Sequence, residues 1–220
     1  MNLSRWWVFA FLVVYAAVAF GWRSWLQYRR TGSTGFRGTT GRAFSTEWWG
    51  GVLLVVGLLG TFFAPVAAQV GVETWAVPGA LSRVASLSGG VALAAGLIGT
   101  VVAQMAMGAS WRIGVDPAEH TALITHGPFR WVRNPIFTSM LLVAAGVALM
   151  VPNALSVLGF AVALLGLELQ VRRVEEPYLL RAHPDYAAYA ARVGRFVPGL
   201  GRLSQGPDTR AAGTGVGSPG

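Results

Sequence analysis

Five long apolar runs, at about residues 6–22, 49–70, 84–107, 136–151 and 154–171, leave this chain few ways to fold. Crossing a bilayer takes about 20 apolar residues of helix. Inside lipid, only helices and closed barrels satisfy every backbone polar group. The runs are continuous rather than alternating, which excludes a barrel. Charged residues make up only 12% of the 220 residues, against about 25% in a soluble domain. The expectation is an all-α polytopic membrane protein of about five transmembrane helices. Tryptophans near the run ends (Trp6, Trp7, Trp22, Trp25, Trp48, Trp49, Trp75) suit an interfacial belt. Pro65 interrupts the second run, which is tolerable if its freed carbonyl is met inside the bundle.

The last two runs are short. Sixteen residues of helix reach about 24 Å, less than the hydrocarbon core of about 30 Å. The Pro152-Asn153 turn between them forces an antiparallel hairpin. The last helix has nothing to break it before Pro177, so Glu168, Arg172, Glu175 and Glu176 are expected on one helix leaving the membrane. Glu168, Arg172 and Glu176 would then share a stripe at i, i+4, i+8. The glycines at 57, 60, 89, 90, 96 and 99 read as sites of close helix packing.

The basic residues are all arginine, and their placement is lopsided. Fifteen lie after the first run, after the third run or beyond the fifth; only Arg5 and Arg83 lie on the other side. This bias places the N-terminus outside and the C-terminus in the cytoplasm. The net charge of +8 therefore reads as topology and attraction to membrane lipids, not nucleic-acid binding. A cleavable signal peptide is the rival for the first run, with Ala17-Val18-Ala19 as its weak cleavage site, but cleavage would export five arginines. The loop at 31–42 reads as flexible and residues 204–220 as a disordered tail. Three regions follow: N-terminal membrane helices at 1–103, a C-terminal region with the hairpin at 104–203, and the tail.

With no cysteine, thiolate metal sites and a cysteine nucleophile are excluded. His120, His126 and His183 lack metal-ligand spacing, no HExxH is present, and no metal is expected. P-loop, GxSxG and strand-associated GxGxxG patterns are missing as well. The chemistry-bearing residues that remain bracket the hairpin. They are Gly127-Pro-Phe-Arg-Trp-Val-Arg-Asn-Pro135 and, about forty residues later, Glu175-Glu176. Ionisable groups at a membrane are costly and point to function.

Pro135 suits the first position of a helix, with Asn134 as its N-cap. Free N–H groups there, flanked by Arg130 and Arg133, would receive a carboxylate or phosphate. The bland alternative is a capped helix with two snorkelling arginines. Glu175 and Glu176 would accept ribose hydroxyls or balance a cation; alternatively they pair with Arg172 or Arg173. Tyr186 and Tyr189 share a face of a final short helix and are expected to pack it onto the membrane surface, or to close a lid.

Gly127 to Ser139, the apolar hairpin, Glu175-Glu176, and Tyr186-Ala-Ala-Tyr-Ala-Ala-Arg-Val-Gly-Arg-Phe-Val-Pro198 together resemble the isoprenylcysteine carboxyl methyltransferases. They are also similar to the related membrane phospholipid methyltransferases. The resemblance spans about residues 104–202. It implies S-adenosyl-L-methionine held in a cytoplasmic pocket by the C-terminal spans and their flanks. The family motif G-(V/P)-Y-x-x-x-R-H-P-x-Y-x-G keeps its glycine, arginine and proline here as Gly127, Arg133 and Pro135. Phe129, Asn134, Phe137 and Ser139 stand where the family has tyrosine, histidine, tyrosine and glycine. The implied site has Arg133 and Arg172 as catalytic residues. Gly127, Arg130, Arg133, Asn134, Pro135, Phe137, Glu175 and Glu176 form the cofactor site. Trp131 with Phe137 would line a pocket or merely pack, and Trp111-Arg112 is a further candidate.

The implied activity is methylation of a lipophilic or lipidated acceptor, with O-methylation of a carboxylate favoured by the arginines. Alternatives are lipid N-methylation, a non-enzymatic protein keeping the fold, and a membrane reductase with a similar C-terminal bundle. The Arg/Gly/Ala-rich composition suggests a bacterial inner membrane.

Overall fold

The computed structural model describes residues 3–34, 42–108 and 123–204. Arg37, Trp111, Arg112, His120, most of the 31–42 loop and nearly all of the expected tail fall outside them.

The described residues are helical throughout, apart from short connections and one isolated parallel bridge between Val132 and Gly194. The first span is α1 (Leu3–Ala16), a π-turn at Ala17–Trp22 and α2 (Arg23–Thr31). The π-turn leaves the Ala19 carbonyl to accept from Gln104 Nε2 at 2.8 Å, a bond between spans. Then come α3 (Thr46–Gln69), α4 (Gly79–Met107), α5 (Pro135–Met150) and α6 (Ala154–Gln170). A second π-turn, Val171–Glu175, leads into α7 (Glu176–Ala182), and α8 (Tyr186–Arg192) follows. Among the described residues, four helical stretches are long and apolar enough to cross a membrane: Arg5–Thr31, Thr46–Gln69, Gly79–Met107 and Ala154–Ala182. Pro135–Met150 is a shorter apolar helix. The five expected runs therefore all appear as helices in an all-α membrane protein, the first reaching nine residues further than composition suggested.

Two helix pairs carry the bundle, and glycine makes both possible. In α3 against α6, a Cβ at Gly57 would stand 2.3 Å from Ala163 N, and one at Gly166 would stand 2.4 Å from Leu54 N. In α4 against α5, a Cβ at Gly89 or Gly96 would run into the Gly146 or Ser139 carbonyl, at 2.9 and 2.7 Å. In lipid there is no hydrophobic drive between helices, so close backbone approach supplies the attraction. Gly90 is a correction: it faces nothing within 4 Å.

The hairpin turn is fixed by a capping box. Ser156 N donates to Asn153 Oδ1 at 2.8 Å, and Asn153 N donates to Ser156 Oγ at 3.1 Å. The Asn153 amide also reaches the Ala64 carbonyl beside Pro65, at 3.1 Å. The hairpin returns the end of α6 to the start of α5, and the site assembles there.

Candidate functional site

Residues 193–201 form a strap beyond α8 that folds across the start of α5. Arg133 N donates to the Gly194 carbonyl at 2.8 Å, and Asn134 N to the Arg195 carbonyl at 3.1 Å. Thr138 Oγ1 donates to the Phe196 carbonyl at 2.8 Å. Beneath the strap lies a buried ion cluster. Arg195 meets the Glu176 carboxylate edge-on, Nε to Oε1 at 2.8 Å and Nη2 to Oε2 at 2.9 Å. Arg133 Nη2 also donates to Glu176 Oε1. The Glu176 carboxylate holds the Arg195 guanidinium above its usual pKa.

Arg133 is tied on nearly every side. Nη1 donates to the Ala190 and Val193 carbonyls at 2.9 and 2.6 Å, and Nη2 also reaches the Gly201 carbonyl at 3.0 Å. Nε alone lacks a partner, and the side chain is 1% exposed. The expected clamp, with Arg133 open to an outside anion and facing Glu176 across a pocket, is therefore not the arrangement seen. The two expected walls touch, and Arg133 anchors the strap.

Other expected site residues separate. Pro135 begins α5 as read from the sequence, but Asn134 makes no side-chain cap; its amide donates to the Arg195 carbonyl at 3.3 Å. Arg130 is exposed and lies over the Trp131 ring at 5.0 Å. Phe137 packs in the core between the α5 and α6 clusters. Gly127 adopts φ 58°, the left-handed region that favours glycine, at the turn that starts the motif. Glu175 is half-buried beside the cluster. Ser139, in the family's glycine position, donates to the Pro135 carbonyl at 2.8 Å and fits because α4 supplies Gly99 opposite it.

The π-turn at 171–175 underwinds the helix between Arg172 and Glu176. Glu176 is buried, Arg172 and Glu168 pair with each other nearer the surface, and Arg195 reaches both acids. Tyr186 and Tyr189 are buried and meet edge to face at 6.0 Å. Tyr189 Oη donates to the Phe129 carbonyl at 2.5 Å. The tyrosines therefore pack α8 onto the turn at 127–130 rather than onto lipid. Burial raises the pKa of both phenols, Tyr189 to about 12.

A cavity of about 480 Å³ opens between α5 and α6 under the strap. Leu141, Leu142, Ala145, Phe160 and Leu164 make its walls hydrocarbon. Thr138, Glu168, Arg172 and Arg195 gather at the end where α5 starts and α6 finishes. Of the expected site residues only Arg172 lines it. Arg195, Glu168 and Thr138 complete the polar end, with Arg195 Nη1 3.8 Å from Glu168 Oε2. Sequence reasoning did not select Arg195 or Thr138. The available signal was Gly194-Arg195-Phe196, an arginine inside an otherwise apolar strap. Among the described residues, no group of three or more His, Cys, Asp or Glu residues is placed to hold a metal.

These features define a helical membrane protein whose C-terminal hairpin carries an apolar cavity with one charged end. Residues 84–185 match the family model described as phospholipid methyltransferase, the family that also contains the isoprenylcysteine carboxyl methyltransferases. The resemblance carried by the sequence motifs thus holds over the hairpin, and the match supports a membrane methyltransferase. The chain is also similar to the cobalt-zinc-cadmium resistance protein CzcN of Cupriavidus metallidurans, at 29% identity over 100 residues. That alignment covers 45% of this chain and 46% of the relative, so the chain spans less than half of that protein's length.

Proposed function

We propose that the protein is an S-adenosyl-L-methionine-dependent integral membrane methyltransferase that esterifies the carboxylate of a lipophilic acceptor. The observation that carries this reading is the cavity between α5 and α6, apolar along its walls and ionic at one end, whose two helices lie in the segment that matches the family. An amphiphile suits such a cavity: the chain lies among Leu141, Leu164 and Phe160, and the head meets Arg172 and Arg195.

The donor set at the mouth also fits the cofactor. The carboxylate of Glu168, 31% exposed on its side chain, complements the cofactor's ammonium group. When bound, the cofactor supplies an electrophilic methyl group on sulfonium. The residues then have positioning to do rather than proton transfer. A carboxylate acceptor is already ionised at neutral pH, and no general base is needed. Arg172 orients the acceptor carboxylate. The apolar walls and the strap exclude water, which strengthens the ionic contacts and favours a direct approach. Arg133, Glu176 and Arg195 hold the strap that forms one side of the mouth.

The arginine bias supports a topology with the N-terminus outside, the mouth in the cytoplasm, and residence in a bacterial inner membrane. The soluble cofactor then arrives from the cytoplasm and the acceptor arrives sideways from the bilayer.

The test is mass spectrometry of a native lipid extract incubated with the full-length protein in nanodiscs and a methyl donor labelled with deuterium. A labelled methyl ester is expected from the wild type and is lost in Arg172→Ala. Label on an amine would replace the O-methyl reading with N-methylation. A wild-type protein that shows neither transfer nor calorimetric binding of the cofactor would overturn the proposal.

A further inference from the structure

The space between α5 and α6 is a groove, open along one side, with a polar end and an apolar end. Thr138 and Arg172 mark its ionic mouth, while Ala145 on α5 and Phe160 on α6 stand furthest towards the hairpin turn. Seven residues of α5 and twelve of α6 separate the polar end from the apolar end, which is about 10 Å along one helix and about 18 Å along the other. The space, about 480 Å³, is elongated along the two helices and suits an extended aliphatic chain lying between them.

The mouth selects the sign of the head. The charged residues that line it are Glu168, Arg172 and Arg195, and Arg172 is the exposed cation. The complementary occupant is a single-chain amphiphile with an anionic head.

We propose that Ala145 and Phe160 set the length of the aliphatic chain the protein accepts. This rests on reading the cavity as the acceptor site. A methyl side chain at 145 leaves the space that a longer one would fill, and the Phe160 ring closes the opposite wall. Ala145→Leu adds three carbons to the apolar end and displaces a comparable length of ligand. Phe160→Ala opens it. Close packing makes a change of even one methylene felt.

The test is binding alone, without a methyl donor. Full-length protein in nanodiscs is titrated with straight-chain alkyl carboxylates of increasing length, scored by displacement of a fluorescent fatty acid. Wild type is expected to show an optimum length. Ala145→Leu should move that optimum shorter by about two to three carbons, and Phe160→Ala should move it longer, while chains well below the optimum bind all three alike. Melting temperatures near wild type establish that both variants are folded. An unmoved optimum in two folded variants overturns the ruler and leaves the methyltransferase reading intact. A moved optimum in a protein that transfers no methyl group does the reverse. A wild type that displaces no probe with any chain overturns the inference.

Discussion

Arg195 and Glu176 meet as a two-pronged pair, Nε to Oε1 at 2.8 Å and Nη2 to Oε2 at 2.9 Å, with both side chains under one-tenth exposed. Nineteen residues separate them, and Arg133 grips the same carboxylate from the start of α5. One acid therefore fastens α7, α5 and the strap together.

Glu176→Gln should be the most damaging single change in this region. It leaves two guanidiniums buried without their counter-charge, an error that costs about 3–5 kcal/mol. Thermal unfolding in detergent should show a large drop in the melting temperature. An unchanged melting temperature would mean that the strap is held by its backbone bonds alone.

The outer pair should behave oppositely. Arg172 and Glu168 are 57% and 31% exposed on their side chains, and such pairs contribute about 0–1 kcal/mol. Arg172→Ala and Glu168→Gln should unfold near the wild-type temperature, while methyl transfer falls by about a hundredfold for Arg172→Ala, the loss of one charged hydrogen bond or more. Parallel melting and labelled-transfer assays separate stability from activity.

Tyr189→Phe removes the donor to the Phe129 carbonyl and should destabilise the protein by about 1–3 kcal/mol, since that carbonyl stays buried. Alkaline titration adds a sign. Burial lifts the Tyr189 pKa to about 12, above the unfolded value of about 10. Its contribution is thus complete below about pH 10 and lost as pH rises towards 12. A stability profile over that window should be shallower in Tyr189→Phe than in wild type.

Two glycines of similar sequence surroundings should respond in opposite ways. Gly57→Ala puts a methyl 2.3 Å from Ala163 N and 2.7 Å from the Gly159 carbonyl, both backbone, so α3 and α6 must part. A loss of about 3 kcal/mol or more is expected. Gly90→Ala meets nothing within 4 Å and gains helix propensity of about 1 kcal/mol. Comparing the two melting temperatures tests whether close approach, rather than glycine content, holds the bundle.

The spans and the hairpin were legible because apolar runs and a two-residue turn are local signals. Pro135 at a helix start belongs to the same class. The contents of the site were less legible. Arg133 and Glu176 are brought together by the hairpin, as their positions suggested, yet nothing in the local sequence says that they would touch and seal the space between them. That outcome depends on Arg195, which arrives from sixty-two residues beyond Arg133. The π-turn at 171–175 was also hidden. It has no residue signature in Val-Arg-Arg-Val-Glu.

The parallel bridge between Val132 and Gly194 has a consequence for biosynthesis. The helices of the bundle can enter the membrane as they emerge from the ribosome, each satisfying its own backbone. The strap that finishes the mouth is translated after every helix of the bundle, and until it arrives Glu176 has only one of its two cations. A nascent chain halted before residue 194 would thus be inserted and helical yet unfinished at its working end. Insertion and assembly of the site are separate events in time, and a quality-control protease could tell them apart.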